Sequence, residues 1–246
     1  MGELIAVLSG KGGTGKTSVC AGLATALAAS GQRVLCIDCD VGLRNLDISL
    51  GLADTASLSF LEVCRGDYTL AQATVHPKYP SLSFLTAPMN CAIESIDPDA
   101  FAAMVHEGRK IFDYIFLDAP AGVDAGFRLL APCADRCMLV TGPGPAAIRS
   151  ARRVGDLLEL MGKTNVRLIV NRVNKKMVSA MAVTVDDVMD EAGLPLLGVV
   201  PEDLQVTLAA ALGNPLLSYK PRGAATKAFR RIANRIQGLP QPMGLR

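Results

Sequence analysis

The most informative residues of this sequence form a glycine-rich segment with two lysines near the N-terminus. An apolar run at residues 4–8 precedes the eight residues GKGGTGKT at positions 10–17, and residues 18–29 have the apolar spacing of a helix. In the pattern G-x-x-x-x-G-K-T, successive backbone N–H groups surround a phosphate, and the following helix adds the positive end of its dipole. Residues 10–17, called the phosphate loop below, are therefore predicted to bind the phosphates of a nucleotide.

Three side chains of the phosphate loop carry the chemistry of such a site. The Lys16 ammonium would neutralise the β and γ phosphates, and the Thr17 hydroxyl is a suitable ligand for Mg²⁺. Lys11 is either a solvated loop residue or a charge that reaches the phosphates of a nucleotide held by a second copy of the chain. The residues expected to contact the cofactor here are Gly10, Lys11, Gly12, Gly13, Thr14, Gly15, Lys16, Thr17 and Ser18.

Carboxylates follow two further apolar runs. Residues 33–37 lead into Asp38 and Asp40, and residues 114–117 lead into Asp118. The carboxyl ends of parallel strands share one edge of a sheet, so these acids are expected beside the phosphate loop. An aspartate at that edge supports Mg²⁺ in nucleotide hydrolases, which makes hydrolysis of a nucleoside triphosphate the predicted chemistry.

Predicted strands and helices alternate along the chain and position these residues. Short apolar runs separated by helix-length stretches predict an α/β fold, and a helix is predicted to begin at Pro98 with Asp97 as its N-cap. Since the runs are apolar on both faces, we expect a three-layer P-loop NTPase fold, with a mostly parallel β-sheet flanked by helices on both faces. No linker divides the chain, so residues 1–246 are expected to form one domain, with 238–246 as a short tail. The apolar runs lie at residues 4–8, 33–37, 82–86, 114–117, 138–141, 167–170 and 196–200.

The composition excludes several classes of protein. Of the 246 residues, 50% are hydrophobic, 20% are charged and only 4% are aromatic, so the chain can bury a large core of small aliphatic side chains. No apolar run approaches the roughly 20 residues that span a bilayer, and no basic leader precedes an apolar segment at the N-terminus. We therefore expect a cytoplasmic protein that is neither disordered nor fibrous.

The C-terminal part of the sequence is basic. Residues 204–246 contain no Asp or Glu, and their basic residues are Lys220, Arg222, Lys227, Arg230, Arg231, Arg235 and Arg246. A solvated helix face is the simpler interpretation, and contact with anionic lipid, nucleic acid or an acidic partner is the alternative. The apolar stripe in this region predicts a helix that packs against the core, with a helix that lies on lipid as the second possibility. Its members are Ala225, Phe229, Ile232 and Ile236.

The seven cysteines are an odd number spread through a large chain, and we expect buried thiols rather than disulfides. Cys36 and Cys39 have the spacing of a pair of metal ligands. No second pair of this kind follows, so a metal site is the less favoured interpretation.

Taken together, these motifs resemble the deviant Walker A ATPases of the MinD and ParA superfamily over most of the chain. Lys11 occupies the position of the signature lysine. The segments DCDVGLRNLD at 38–47, DAPAG at 118–122, NRVN at 171–174 and VVPED at 199–203 are more similar to MinD than to ParA. The resemblance implies an ATP hydrolase that positions the cell-division site by regulating septum formation.

The same resemblance implies the cofactors and the residue roles. ATP and Mg²⁺ bind, a homodimer forms with ATP, and hydrolysis dissolves it. Lys11 of one subunit would touch the nucleotide of the other, Lys16 would act with it in catalysis, and Asp40 would orient the attacking water. The residues implied to support Mg²⁺ are Thr17, Asp38 and Asp118. Those implied to contact adenine are Asn171, Arg172, Pro201, Glu202 and Asp203.

Partners and location are also implied. They are a MinC-like inhibitor, a MinE-like activator and weak contact with anionic lipid on the inner face of the cell membrane. Relatives end in a short amphipathic helix that binds membrane when paired, but residues 238–246 read GLPQPMGLR, and two prolines prevent such a helix. The sequence also departs from the family at residues 142–145, which are rich in Pro and Gly, and at Ser150, where MinD usually has an acid.

Two alternatives share these motifs. A ParA-type partition or flagellar-placement ATPase would have the same nucleotide chemistry, and ATP-dependent, salt-sensitive DNA binding would favour partition. A metallochaperone or redox ATPase would hold a metal or cluster through paired cysteines at a dimer interface. Cys91 and Cys133 lack the surroundings of such ligands, and bound iron, nickel or zinc would be needed to favour that alternative.

Overall fold

A computed structural model of the chain describes residues 1–89, 91–174, 176 and 184–242. Its strands are β1 (Glu3–Leu8), β2 (Val34–Asp38), β3 (Thr74–His76), β4 (Tyr79–Leu85), β5 (Tyr114–Asp118), β6 (Arg136–Thr141), β7 (Val166–Val173) and β8 (Leu196–Pro201). In the described part they form one sheet in the order β3-β4-β2-β5-β1-β6-β7-β8. All neighbours pair in parallel except β3, which is antiparallel to β4.

The helices cover both faces of this sheet. Those in the described ranges are α1 (Lys16–Ala29), α2 (Leu46–Leu50), α3 (Phe60–Cys64), α4 (Pro98–Gly108), α5 (Ala125–Leu130), α6 (Pro145–Leu160), α7 (Val185–Ala192), α8 (Leu204–Ala211), α9 (Leu216–Tyr219) and α10 (Ala224–Ile236). As predicted, α4 begins at Pro98, and the Asp97 carboxylate accepts hydrogen bonds from the N–H groups of Asp99 and Ala100. This cap satisfies donors that the helix itself leaves open.

Alternation along the strands divides the interior into two cores. In β1, Leu4, Ala6 and Leu8 belong to one core with residues of α3 to α7. Ile5 and Val7 belong to the other, with residues of α1, α2, α8, α9 and α10. The three-layer, mostly parallel α/β fold is confirmed, and each apolar run of the sequence overlaps a strand.

The C-terminal helix α10 is part of the second core. Its apolar stripe is buried, with Phe229 and Ile232 each 1% exposed, so the interpretation that this stripe lies on lipid is wrong. The Phe229 ring packs against α1 at Gly22, and Ile232 packs against β8 at Gly198. The absence of a side chain at these two glycines lets the helix approach both elements closely.

The described part of the tail is bound to the body of the protein. The Arg235 guanidinium donates to the carbonyls of Leu197 (2.5 Å), Gln241 (3.1 Å) and Pro242 (2.6 Å). Residues 238–242 are not helical, as the prolines predict, and the apolar residues Met243 and Leu245 lie outside the described residues. Within the described ranges, every helix is too short or too polar to cross a bilayer.

Cys36 in β2 and Cys39, directly after that strand, lie in different cores. Cys36 packs in the core that contains α1, and Cys39 packs in the core that contains α3 to α7. Both thiols are fully buried, and burial raises the pKa of Cys39 well above its usual value. Two side chains on opposite faces of a sheet cannot hold one metal ion together.

The packing of α10 on α1 predicts that Gly22→Ala destabilises the protein. A Cβ atom at Gly22 would lie 2.5 Å from the Phe229 ring. Overpacking of this kind costs about 1–3 kcal/mol, offset in part by the better helix propensity of alanine. The measurement is the free energy of unfolding in urea. Gly155→Ala in α6 is the matched control, because the nearest atom there is the flexible end of Leu194 at 3.3 Å. Equal stabilities of the two variants would contradict the packing argument.

Candidate nucleotide-binding site

The phosphate loop connects β1 to α1 and has the backbone of an anion cup. Gly13 and Gly15 adopt the left-handed φ angles of 80° and 82°. Gly15 is also the N-cap residue of α1, and no side chain caps this helix. The first N–H groups of α1 therefore remain available as donors to an anion.

The end of β7 fixes the back of the phosphate loop. The Asn171 amide is buried and donates to the Thr14 carbonyl at 2.8 Å. A Cβ atom at Gly15 would overlap this amide. Glycine is therefore required at this position both for its left-handed backbone and for the close approach of Asn171. Arg172 follows with a left-handed φ of 56°, which few residues with side chains adopt.

Lys16 forms a buried ion pair with the end of β5. Its Nζ lies 2.6 Å from Asp118 Oδ1, and both side chains are almost fully buried. Burial by itself lowers the pKa of Lys16, but the charge and hydrogen bond of Asp118 outweigh it, so the pKa is raised. The pair forms because Asp118 lies beside Val7 in the parallel register of β1 and β5.

Asp38 ends β2, the neighbour of β5, and stands beside Asp118 in the register of the two strands. Its carboxylate accepts hydrogen bonds from the N–H groups of Asp40 (3.0 Å) and Leu46 (3.1 Å). Burial raises the pKa of Asp38 to about 7, and the negative charge of Asp118 adds to this rise. Burial also raises the pKa of Asp40, although the Lys16 ammonium acts against it.

Two buried oxygens at this edge have no hydrogen-bond partner among the described residues. They are Asp118 Oδ2 and Thr14 Oγ1. Thr17 Oγ1 lies 3.5 Å from Lys16 Nζ, the ammonium that pairs with Asp118. Buried polar atoms are almost always hydrogen-bonded in folded proteins, so these oxygens indicate a polar ligand or ion.

The outer side of the phosphate loop is accessible. Lys11, Gly12 and Gly13 are exposed, and a Cβ atom at either glycine would meet open space. Gly10, in contrast, packs tightly against the Ser150 carbonyl of α6. Lys11 is therefore placed at the surface of the loop, whereas Lys16 is placed beneath it.

The segment after β8 is less accessible to a ligand than the sequence suggests. Glu202 donates its N–H to Val173, and its carboxylate accepts from the Asn174 amide at 2.9 Å. The Asp203 carboxylate accepts from the N–H groups of Gln205 (3.0 Å) and Ala225 (3.1 Å), so it caps α8 and α10 together. Sequence reasoning missed this role, although an Asp directly before the apolar start of α8 is an N-cap signal.

A glycine loop between a buried strand and a helix, with a lysine under the loop and aspartates at neighbouring strand ends, defines a P-loop nucleoside triphosphatase. The sequence model of the CobQ/CobB/MinD/ParA nucleotide binding domain matches residues 5–216. The septum site-determining protein MinD of Synechocystis sp. is 37% identical over 244 residues, which are 98% of this chain and 92% of that protein. The chain belongs to the MinD group of this family, whose members are ATPases that use Mg²⁺.

Solved structures agree with this assignment. A chain of the MinC:MinD cell division protein complex of Aquifex aeolicus has a TM-score of 0.89 and 35% identity, with 98% of this chain and 97% of that chain covered. The septum site-determining protein MinD complexed with Mg-ADP from Pyrococcus horikoshii OT3 has a TM-score of 0.85 and 28% identity, with 96% of each chain covered. The sequence-based prediction of a MinD-like ATPase is confirmed.

The raised pKa of Asp38 predicts a pH dependence of stability in the nucleotide-free protein. The folded value is about 7, whereas an unfolded aspartate titrates at about 3.9. Between these values the folded state holds a proton that the unfolded state has released, so the free energy of unfolding falls as pH rises, by at most about 1.4 kcal/mol per pH unit.

This dependence is measured by urea unfolding at about pH 5 and about pH 7. Asp38→Asn should remove most of the difference between the two values. Asp113→Asn is the control, because the hydrogen bond from Arg33 lowers the pKa of Asp113, which keeps its titration below this window. A variant at Asp38 that keeps the full pH dependence would show that another group is responsible.

Proposed function

We propose that this chain is an ATP-dependent dimerising switch that takes part in positioning the cell-division site. The observation that carries the nucleotide chemistry is the buried Lys16–Asp118 pair beneath the uncapped N-terminus of α1. The names of the relatives, septum site-determining proteins, support the cellular role. Because the described strands form one sheet, we propose that residues 1–246 act as a single ATPase domain.

In this proposal the phosphates bind at the N-terminus of α1. The N–H groups of residues 10–18 donate to the phosphate oxygens, and the Lys16 ammonium turns from Asp118 toward the β and γ phosphates. Thr14 Oγ1, which is buried without a partner in the described part, gains an acceptor. Charged acceptors make these hydrogen bonds stronger than neutral ones.

The oxygens at the strand ends fit Mg²⁺. Thr17, Asp38 and Asp118 supply a hydroxyl and two carboxylates, and Asp118 Oδ2 is a buried oxygen that lacks a partner among the described residues. No group of three or more His, Cys, Asp or Glu side chains in the described ranges could hold a metal by itself. Mg²⁺ does not require one, since it keeps several waters and binds substrate phosphates. When bound, it would neutralise charge on the phosphate oxygens.

Hydrolysis depends on two residues at the open side of the site. Asp40 is half-buried and follows Asp38 at the end of β2, where its carboxylate orients the attacking water. Lys11 is exposed, and its ammonium serves the nucleotide of a second subunit across a homodimer face. Catalysis of phosphoryl transfer is mainly positioning and charge neutralisation, so a lysine delivered by a partner can act as an arginine finger does.

Adenine is proposed to contact the edge formed by the ends of β7 and β8. The residues concerned are Asn171, Arg172, Pro201, Glu202 and Asp203. Because the Asp203 carboxylate already caps α8 and α10, this residue would contact the base through its backbone.

Substitutions of Lys16 and Lys11 should have different effects on the ATPase cycle. Lys16→Gln should lose ATP binding, because the phosphates lose their counter-charge while Asp118 keeps a hydrogen-bond donor that protects the fold. Lys11→Ala should bind ATP but should neither dimerise with ATP nor hydrolyse it. Equilibrium binding of a labelled ATP analogue and sedimentation with ATP or ADP measure the two effects.

The control for this pair is Lys163→Ala, a lysine whose ammonium contacts the Pro132 and Ala134 carbonyls just before β6, at the edge of the sheet opposite the phosphate loop. It should bind ATP and dimerise as the wild type does. Undiminished ATP affinity in Lys16→Gln would refute the phosphate-loop assignment, and normal ATP-dependent dimers of Lys11→Ala would return Lys11 to the role of a solvated loop residue.

We also propose a MinC-like inhibitor and a MinE-like activator as partners, in line with the MinC:MinD complex of the Aquifex relative. Weak contact with anionic lipid is proposed for the exposed basic residues around α10, of which each contributes about 1 kcal/mol near an anionic surface. These residues are Lys220, Arg222, Lys227 and Arg230. Arg235 does not belong to this set, because its guanidinium holds the tail.

Vesicle co-sedimentation tests the lipid contact. We expect salt-sensitive association with anionic vesicles in ATP, and none in ADP or with neutral lipid. Exchange of Lys220, Arg222 and Lys227 for Gln should remove it, whereas the same exchange at Arg128, Arg152 and Arg153, also exposed, should not. Tight binding that resists salt would contradict an electrostatic contact, and ATP-dependent binding to DNA in place of vesicles would favour partition.

A further inference from the structure

A cavity of about 360 Å³ lies at the carboxyl end of β4, and no residue of the proposed nucleotide site lines it. It is bounded by the loop after β2, by the start of α3 and by the segment that follows β4. The lining residues used below are Arg44, Glu62, Arg65, Thr86 and Met89.

Two of the lining residues have a buried polar atom without a partner in the described part of the chain. These atoms are Arg44 Nε and Thr86 Oγ1. Thr86 is only 3% exposed, and its side chain lines the cavity. An unpaired buried donor is unfavourable, and two of them on one cavity indicate a shared acceptor.

The backbone at Arg44 gives a separate indication. Its φ angle is 44°, in the left-handed region that residues with side chains rarely adopt. Strained backbone of this kind is concentrated at binding and catalytic sites, where it directs a side chain. Here it lies in the residue whose side chain lines the cavity.

The chemistry of the lining selects the ligand. The lining contains two arginines, Arg44 and Arg65, and one acid, Glu62. The Glu62 carboxylate already accepts a hydrogen bond from the Ser59 N–H. A guanidinium matches a carboxylate in shape, and a threonine hydroxyl can donate to its second oxygen. The side chain of Met89 offers apolar contact for a short carbon chain.

We propose that this cavity binds a carboxylate on a short aliphatic stem, which accepts hydrogen bonds from Arg44 Nε–H and the Thr86 hydroxyl. The ligand is either a small dicarboxylic acid or a glutamate side chain of another protein, since both present the same group. The proposal does not depend on ATP, so the experiment is performed without nucleotide and its failure would leave the proposed ATPase cycle untouched.

The test follows the Arg44 Nε–H resonance by NMR, assigned by its loss in Arg44→Lys. Glutarate is the probe for a free acid, and the peptide Ala-Glu-Ala, acetylated and amidated at its ends like its glutamine control, is the probe for a protein side chain. Glutaramide and Ala-Gln-Ala are their neutral controls. We expect a saturable shift with glutarate, with the peptide or with both, and none with the neutral controls.

Thr86→Val separates binding from folding. It removes a buried hydroxyl without a partner, so the Tm of the free protein should rise, while the affinity for the probe falls about tenfold. Arg149→Lys on the exposed face of α6 should change neither quantity. A shift that does not saturate and that also appears on other arginines would indicate adventitious ion binding only and would overturn the proposal. No shift with either probe, or full affinity in Thr86→Val, would overturn it as well.

Discussion

A buried lysine and a buried aspartate, 2.6 Å apart, impose the strictest requirement on this fold. Removing the two charges from water costs several kcal/mol for each ion. The attraction between them offsets this desolvation cost only when the two groups are held close together in a fixed geometry. The sheet supplies that geometry, because β1 and β5 are neighbours whose ends lie in register. Helix α1 must then start directly above the pair, which is possible because Gly15 has no side chain.

The same edge contains more negative than positive charge. Asp38 and Asp118 end two adjacent strands and are buried with Lys16, and the half-buried Asp40 follows two residues after Asp38. The chain meets part of this cost by raising the pKa values of Asp38 and Asp40. A surplus of buried carboxylate is unfavourable in the protein alone and becomes favourable beside a divalent cation, so the carboxylates that destabilise the free protein are the ones proposed to support Mg²⁺.

The sequence allowed the α/β class, the seven parallel strands and the phosphate loop to be predicted, because each depends on local pattern. Strand β3 was not predicted, since three residues at an edge carry no periodicity and their pairing with β4 is set by the turn between them. The double cap by Asp203 depends on α8 and α10 meeting in space, 22 residues apart in sequence. Arg44 and Thr86 likewise come to one cavity only in the folded chain, and Arg235 binds the tail through carbonyls that the sequence pattern does not reveal.

Helix α10 runs from the carboxyl edge of the sheet toward the opposite edge. Its first residues are held by Asp203 at the carboxyl edge of the sheet, and its last turn is held at the opposite edge, where Arg136 donates to Ile236 and Arg235 donates to Leu197. A fluorescent protein or affinity tag fused after residue 242 would therefore leave the molecule on the side away from the phosphate loop. Such a fusion would report on this chain without obstructing nucleotide exchange.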